Sequence, residues 1–324
     1  MQEVDGMYFP YVRGRQYELL ALKELVSSGL LSKKIIPVVE PVKLSPTLIT
    51  TMAEFVKQRH VLSILRNPEV GTFLSDCEEA VEGSREAGFI KKFEEMYTDD
   101  MIINSAIMQK GVNFLFDAWD TEGVSKEQML IVCKDRDYLS LFEEMFSEEI
   151  PKFTLIPDES AFRRKIKKHR VLIDDCFKKQ ERNSDYLKKT DEHFSDDHLY
   201  FSDDGYIGFS DYSIVGDDYM ESGFAPYAVA IHIVYFAKDQ SLHVKHFVSD
   251  SNEDITNPAL KYYEAVSKLA EWYRDNEGSV PLTAGLRVFL QHYKDQSYPG
   301  LGTVKKLALM HHIELMSLHL DRVE

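Results

Sequence analysis

The stretch "YIGFSDYSIVG" (residues 206–216) decides the predicted fold because it reads as a strand with one carboxylate inside it. Phe209, Tyr212 and Ile214 suit a pleated, partly buried surface. Asp211 does not, since a buried carboxylate is costly unless it is paired, hydrogen-bonded or bound to a metal. The group that Asp211 faces is therefore the first question that the sequence raises.

The composition of the chain predicts a folded acidic protein. Its 324 residues are 44% hydrophobic and 12% aromatic, which is enough for a sizeable core. The 54 acidic and 38 basic residues give a formal net charge of −16, so any surface that binds a polyanion must be local. Cys77, Cys133 and Cys176 lie far apart and are expected to be reduced thiols. With no signal peptide and no apolar run of about 20 residues, we expect a cytoplasmic protein without a membrane partner.

Short apolar runs alternate with helical patterns along most of the chain. Such alternation is typical of βαβ units and a parallel sheet. Predicted strands begin near residues 35, 60, 101, 129, 152, 170, 206 and 227. Eight strands predict an α/β fold of the (β/α)8, TIM-like barrel type, and a doubly wound open sheet is the alternative.

Several features make the predicted barrel a distorted one. The stretch "VNFLFDAW" (112–119) also resembles a strand, but it follows the previous strand too closely for a helical crossover. The runs 227–236 and 242–249 flank "AKDQS" and predict a hairpin. We therefore assign residues 1–225 to the main part of the barrel and residues 226–324 to a final strand, the hairpin and C-terminal helices packed on the barrel.

Polar residues gather at the predicted ends of the strands, where barrels carry their functional sites. These residues are Glu40, Arg66, Asn67, Asn104, Lys134, Asp174, Asp175, Asp211 and His232. The prediction is that Asp211 faces the barrel mouth, where it meets Glu40, one of the two aspartates at 174 and 175, and His232. The alternative is that these are the polar residues that end strands in any α/β protein.

Three roles follow from this predicted cluster. Glu40, Asp211 and Asp175 are the candidate ligands of a hard cation such as Mg²⁺ or Mn²⁺. Asp211, His232 and Asp174 are the candidate catalytic acids and bases. Arg13, Arg66 and Lys134 are the candidate substrate-binding cations. Because adjacent residues of a strand point to opposite faces, one of the two aspartates at 174 and 175 is expected to be solvated. The apolar face around His232 is equally typical of a hydrogen-bonded core histidine.

The N-terminal stretch "MYFPYVRGRQYE" (7–18) combines aromatic residues with Arg13 and Arg15. Such a segment can form an anion-binding or base-stacking site. The favoured interpretation is an N-terminal arm whose arginines pair with surface carboxylates. No P-loop, dinucleotide fingerprint, zinc spacing or nucleophile elbow is present in the sequence.

Four motif blocks carry a resemblance to a known family. They are "MYFPYVRGRQYELLALKEL", "KIIPVVEPVK", "GFSDYSIVG" with "YAVAIHIVYF", and "KHFVSD". These blocks resemble the bacterial and phage "beta protein" family, and more closely a branch of it that is encoded beside a small partner gene, often in mobile or defence-associated regions. The resemblance covers roughly residues 7–275. It implies a partner protein from an adjacent gene, and it transfers no catalytic residue.

Two functions of different class remain open at this point. The first is an interaction protein that acts with a partner, in phage defence or mobile-element biology, and it is favoured narrowly because no complete catalytic constellation is visible. The second is a metal-assisted hydrolase of a phosphate ester or nucleotide, with a nucleotide or nucleic acid as ligand. The sequence decides neither the question of enzymatic activity nor the oligomeric state.

Overall fold

The computed structural model describes residues 6–81, 83–220 and 226–322. The chain divides into two compact units. The first unit contains the residues up to Asp174 together with Asp197–Tyr212, and the second unit contains Asp175–Asp196 and the residues from Ser213 onward. The predicted domain boundary at residue 225 falls in 221–225, outside the described residues.

The first unit is built on one sheet in which every described strand pair is parallel. Its strands are β1 (Met7–Tyr8), β2 (Tyr11–Val12), β3 (Val38–Val39), β4 (Leu62–Leu65), β5 (Ile102–Ile107), β6 (Leu130–Val132), β7 (Phe153–Ile156), β8 (Arg170–Asp174) and β10 (Gly208–Asp211). The intervening strand β9 (Asp191–Ser195) belongs to the second unit. The strand order is β1-β10-β8-β7-β6-β5-β4-β3-β2. The predicted α/β class is confirmed, as a curled, barrel-like sheet.

The N-terminal segment 7–12 occupies both outer positions of this strand order. On one side, the amide of Phe9 donates to the carbonyl of Phe209 at 2.9 Å. On the other side, the amide of Ile36 donates to the carbonyl of Tyr8 at 3.0 Å, and the amide of Val38 donates to that of Pro10 at 2.9 Å. One short segment therefore pairs with β10 and with β3, which curls the sheet.

In the described part of the first unit, eight α-helices lie between or after these strands. They are α1 (Gln16–Ser27), α2 (Pro46–Lys57), α3 (Phe73–Glu78), α4 (Arg85–Tyr97), α5 (Val112–Glu122), α6 (Leu139–Met145), α7 (Ser160–Lys165) and α8 (Asp197–Tyr200). Helix α2 begins as its sequence predicts, because Ser45 accepts a hydrogen bond from the amide of Leu48 and Pro46 occupies the first turn.

The sequence left open whether 112–119 is a barrel strand, and the structure places this stretch in helix α5. Its buried residues are Val112, Phe116 and Trp119, which are spaced four and three apart and form one helical stripe. Gly111 and Gly123 bound the helix with positive φ angles of 81° and 76°. Dense apolar runs fit a helix and a strand equally well until one face is known to be buried.

The core of the first unit is formed by alternate residues of its strands. It includes Phe9, Val38, Leu130, Val171 and Tyr212. We call the side of the sheet that carries these residues the inner face. Because side chains alternate along a strand, the residues between them belong to the outer face.

The second unit contains a three-stranded antiparallel sheet of order β11-β12-β9, with β11 (Ala230–Phe236) and β12 (Leu242–Val248). Its helices are α9 (Pro258–Asn276), α10 (Ala284–Asp295) and α11 (Leu301–Leu320). The predicted hairpin is confirmed. The prediction that 227–236 supplies a barrel strand was wrong, because β11 pairs antiparallel with β12 in this other sheet. The sequence predicted neither strand β9 nor helix α10.

No helix in the described ranges combines the length and apolarity that a membrane span requires.

Candidate functional site

Polar side chains of the first unit converge on the inner face at the carboxyl ends of its strands. Arg13 follows β2, Glu40 follows β3, and Lys134 follows β6. Each keeps the alternation of the core residues before it, which points its side chain to the inner face. Together with Tyr11 and Tyr212, these residues form what we call the strand-end cluster. Parallel strands bring their carboxyl ends to one edge of the sheet, which is where α/β folds place ligand sites.

The most buried part of the cluster is an ion pair between Arg13 and Glu40. Glu40 is 0% exposed and Arg13 is 5% exposed. Glu40 Oε2 accepts from the Arg13 guanidinium and from the Tyr11 hydroxyl, the latter at 2.6 Å. Glu40 Oε1 accepts from the backbone amide of Glu69 at 2.8 Å. Burial, and then the negative charge of Glu40, hold the pKa of Tyr11 well above its ordinary value, so this phenol stays protonated.

Lys134 is the more accessible cation of the cluster. Its side chain is 22% exposed, and its ammonium group donates to the Tyr212 hydroxyl at 2.9 Å. The carboxylate of Glu69 lies 3.9 Å from Lys134 Nζ. This contact is longer than a hydrogen bond, whereas the contact with the tyrosine hydroxyl has hydrogen-bond length.

Two tyrosine rings join the two cations. The ring centroids of Tyr11 and Tyr212 lie 4.9 Å apart. The Arg13 guanidinium lies 5.5 Å from each centroid, and Lys134 Nζ lies 5.7 Å from that of Tyr11 and 5.4 Å from that of Tyr212. These distances fall within the range of cation–π attraction, so the two rings stabilise the positive charges of Arg13 and Lys134.

Asp211 does not face this cluster, and the prediction that it meets Glu40 was wrong. Tyr212 belongs to the inner core, so Asp211 lies on the outer face. There the Tyr8 hydroxyl donates to Asp211 Oδ1 at 2.9 Å. Asp211 is 4% exposed, and this hydrogen bond to a charged group offsets part of the cost of its burial. The opening question is thus answered by Tyr8.

The other predicted carboxylates are also distributed differently. Asp174 is exposed and lies in register with Asp211 on the neighbouring strand. Ligand oxygens of Asp174 and Asp197 lie within 4.8 Å of each other, so this pair is a candidate contributor of oxygen ligands to a metal site. Asp175 belongs to the second unit, where it accepts from the amide of Asp217 at 3.0 Å.

A divalent cation does not fit the strand-end cluster. The oxygens of Glu40 face three donors, the Arg13 guanidinium, the Tyr11 hydroxyl and a backbone amide. A hard cation needs several oxygen ligands that turn lone pairs toward it. The predicted ligands Glu40, Asp211 and Asp175 do not form one group within the first unit. Asp211 lies on the outer face, and Asp175 belongs to the second unit.

Of the three predicted substrate-binding cations, the structure brings two together. Arg13 and Lys134 share the tyrosine pair. Arg66 lies on the outer face, where it pairs with Glu94 at 2.8 Å and lies 4.7 Å from the ring centroid of Tyr97. Its position follows from alternation, because Leu65 before it points into the core.

His232 lies in the second unit, in a buried polar chain. Its Nδ1 is 2.7 Å from Nδ1 of His246, whose Nε2 is 3.2 Å from Glu192 Oε1. Burial, and then the neighbouring His246, lower the pKa of His232 to about 3. His232 is therefore neutral at pH 7, which agrees with the hydrogen-bonded core interpretation.

Two members of the site were missed in the sequence. Tyr212 is the residue after Asp211 in the same predicted strand. Assigning Asp211 to the outer face of the sheet would have placed Tyr212 on the inner face and selected it. Glu69 lies beyond the strand end, in a loop, and no local pattern marks it. Lys134 was found because it ends an apolar run, and Arg13 because it follows the aromatic residues of the N-terminal stretch.

Comparisons of the chain with protein-family models, with curated proteins and with solved structures gave no match. The resemblance to the "beta protein" family therefore stays a prediction from sequence motifs.

Proposed function

We propose that the first unit is a closed barrel of the TIM type with eight strand positions. The support is the pairing of segment 7–12 with β10 on one side and with β3 on the other. Counting β1 and β2 as one interrupted strand leaves eight positions in the strand order. The carboxyl ends of these strands would then form the mouth where such barrels bind ligands.

The strand-end cluster is a binding site for a small anion, of the phosphate-ester or carboxylate class. One observation carries this function: Lys134, a cation with solvent access, lies over a pair of tyrosine rings at the carboxyl ends of the strands. The net charge of −16 repels anions from the molecule as a whole, so a binding site must concentrate positive charge locally.

Each residue of the cluster has a distinct part in this function. Lys134 contacts the anion, because it is the cation with solvent access. Arg13 is neutralised by Glu40 and acts as a positioning residue that fixes the tyrosine rings. The Tyr212 hydroxyl accepts from Lys134 and so helps to orient its ammonium group toward the anion. The cluster supports binding and not hydrolysis, because its one buried carboxylate is held by three donors.

The test is calorimetric titration of the protein with inorganic phosphate, pyrophosphate and citrate. At least one of these anions should bind with a dissociation constant below about 1 mM, or about −4.1 kcal/mol. The variant Lys134→Met should weaken that binding at least about tenfold. The control is Lys165→Met, which removes an exposed lysine that pairs with Glu143 in the same unit and should leave affinity unchanged.

Two results would overturn this function. One is the absence of binding of all three anions to the wild type, and the other is equal weakening by Lys134→Met and Lys165→Met. The partner protein from an adjacent gene, with a role in phage defence or mobile-element biology, remains a separate proposal that rests on the sequence resemblance.

A further inference from the structure

A groove of about 580 Å³ lies on the first unit between helices α5 and α6. The apolar residues of its lining are Phe116, Leu141 and Met145. Phe114 follows the lining residue Asn113 on α5, and its side chain is 75% exposed. Phe114 precedes Asp117 by three residues on α5, so the two side chains lie on neighbouring parts of the helix surface. Exposed apolar area next to a groove is typical of an interaction surface.

The rim of the groove is strongly acidic. Its carboxylates are those of Asp117, Asp120, Glu144, Glu148 and Glu149. The single cation of the lining is Lys126, whose ammonium donates to the backbone carbonyl of Met145 at 3.2 Å. Five negative charges and one positive charge leave a net charge of −4 around the groove.

The fold of the first unit does not use these carboxylates in ion pairs. Within the described ranges, none of the five rim residues lies within 4.0 Å of a basic side chain. Glu143, one position before Glu144 on α6, shows the contrast because it pairs with Lys165 at 2.6 Å. The charges on the rim are thus available to a ligand.

The position of Glu144 points to a cationic ligand independently of the charge count. Glu144 lies in the last turn of α6, which has no basic residue there. The carboxyl end of a helix carries partial negative charge, so a carboxylate at this place is unfavourable and a cation is favourable. A ligand with a positive charge at this end of α6 would supply the cation that the last turn of the helix lacks.

We propose that the α5–α6 groove docks a basic amphipathic segment of a partner protein. The apolar side of that segment covers Leu141, Met145 and Phe114, and its lysines or arginines meet the acidic rim. This is the helix-in-groove mode of recognition, in which apolar anchors give contact area and charges give orientation. The proposal is independent of the strand-end cluster, which lies at the edge of the sheet.

The test uses a fluorescent peptide of about 14 residues, roughly four helical turns, with leucines on one face and lysines on the other. Fluorescence anisotropy measures its binding to the full chain. A peptide with glutamates in place of the lysines should not bind. The triple variant Asp117→Asn, Asp120→Asn, Glu144→Gln should weaken binding of the lysine peptide at least about tenfold.

The matched control removes three exposed carboxylates elsewhere on the same unit, by Glu79→Gln, Glu86→Gln and Asp100→Asn. It changes the net charge by the same amount and should leave binding within about twofold of the wild type, or about 0.4 kcal/mol. Equal weakening by the two triple variants would overturn the proposal, because the whole molecular field would then attract the peptide.

A second pair of variants tests the apolar contact. Phe114→Ser should weaken binding at least about threefold, since the exposed ring can bury apolar area only against a ligand. Leu74→Ser, at another exposed apolar position of the first unit, should leave binding unchanged. If Phe114→Ser has no effect on peptide binding, the docking proposal is overturned and the groove is only an acidic patch. Failure of the lysine peptide to bind the wild type would also overturn the proposal.

Discussion

Replacing Glu40 by glutamine should strongly destabilise the first unit. The sequence suggested the reverse, because Glu40 was expected to lie among like-charged carboxylates whose repulsion the substitution would relieve. In the structure its carboxylate is fully buried and faces the Arg13 guanidinium, and Glu40→Gln takes that charge away from a guanidinium that is itself 5% exposed. Removing one member of a buried ion pair costs about 3–5 kcal/mol.

The assay is urea unfolding followed by the emission of Trp119, which lies in the first unit. The chain has two tryptophans, so the measurement is made in a Trp272→Phe background. Trp272 lies in the second unit, and its replacement leaves Trp119 as the single reporter of the first. In thermal unfolding, 1 kcal/mol of unfolding free energy corresponds to about 2–4 °C, so the loss of about 3–5 kcal/mol should lower the melting temperature by about 6–20 °C.

The control is Glu159→Gln, which removes the carboxylate of an exposed pair with Arg136. Exposed pairs contribute about 0–1 kcal/mol, so this variant should change stability little. The double variant Arg13→Met, Glu40→Met should recover part of the loss, because it leaves no buried charge. A cost of Glu40→Gln no larger than that of Glu159→Gln would refute the buried ion pair.

Two further predictions concern backbone geometry and pH. Gly71→Ala should destabilise the first unit by at least about 2 kcal/mol more than Gly29→Ala. Both positions have positive φ, but a Cβ at Gly71 would clash with the backbone carbonyl oxygen of Val42, while one at Gly29 meets nothing within 4 Å. Equal losses in urea unfolding would contradict this expectation. For the second unit, burial lowers the pKa of His311 to about 4. Its unfolded pKa is about 6.5, so stability present above pH 6.5 should be lost as the pH falls toward 4, by up to about 1.4 kcal/mol per pH unit. In a Trp119→Phe background, His311→Gln should reduce that slope, and exposed His193→Gln should leave it unchanged; equal slopes in the two variants would argue against a buried neutral His311.

Part of the candidate site could be predicted from the sequence because local patterns are sufficient for it. Apolar runs bounded by polar residues located the strands around 130 and 153, and helical stripes located α1 and α2. Lys134 and Glu40 were selected because the end of a strand in a parallel sheet is a predictable place. None of this required knowledge of which strands are neighbours.

The tertiary structure alone decided which face of the sheet each polar residue joins. Strands of a parallel sheet are covered on both faces, so they show no alternation of polar and apolar residues from which the facing of Asp211 could be read. Shifting the register of this strand by one residue would place Asp211 instead of Tyr212 on the inner face. The packing of Tyr212 against Tyr11 fixes the observed register. The partners of a strand are equally non-local. Strand β11 has the apolar pattern of a barrel strand, yet it pairs with β12 in a second sheet, because hydrogen bonds between strands depend on which backbone edges meet and not on the residues within one strand.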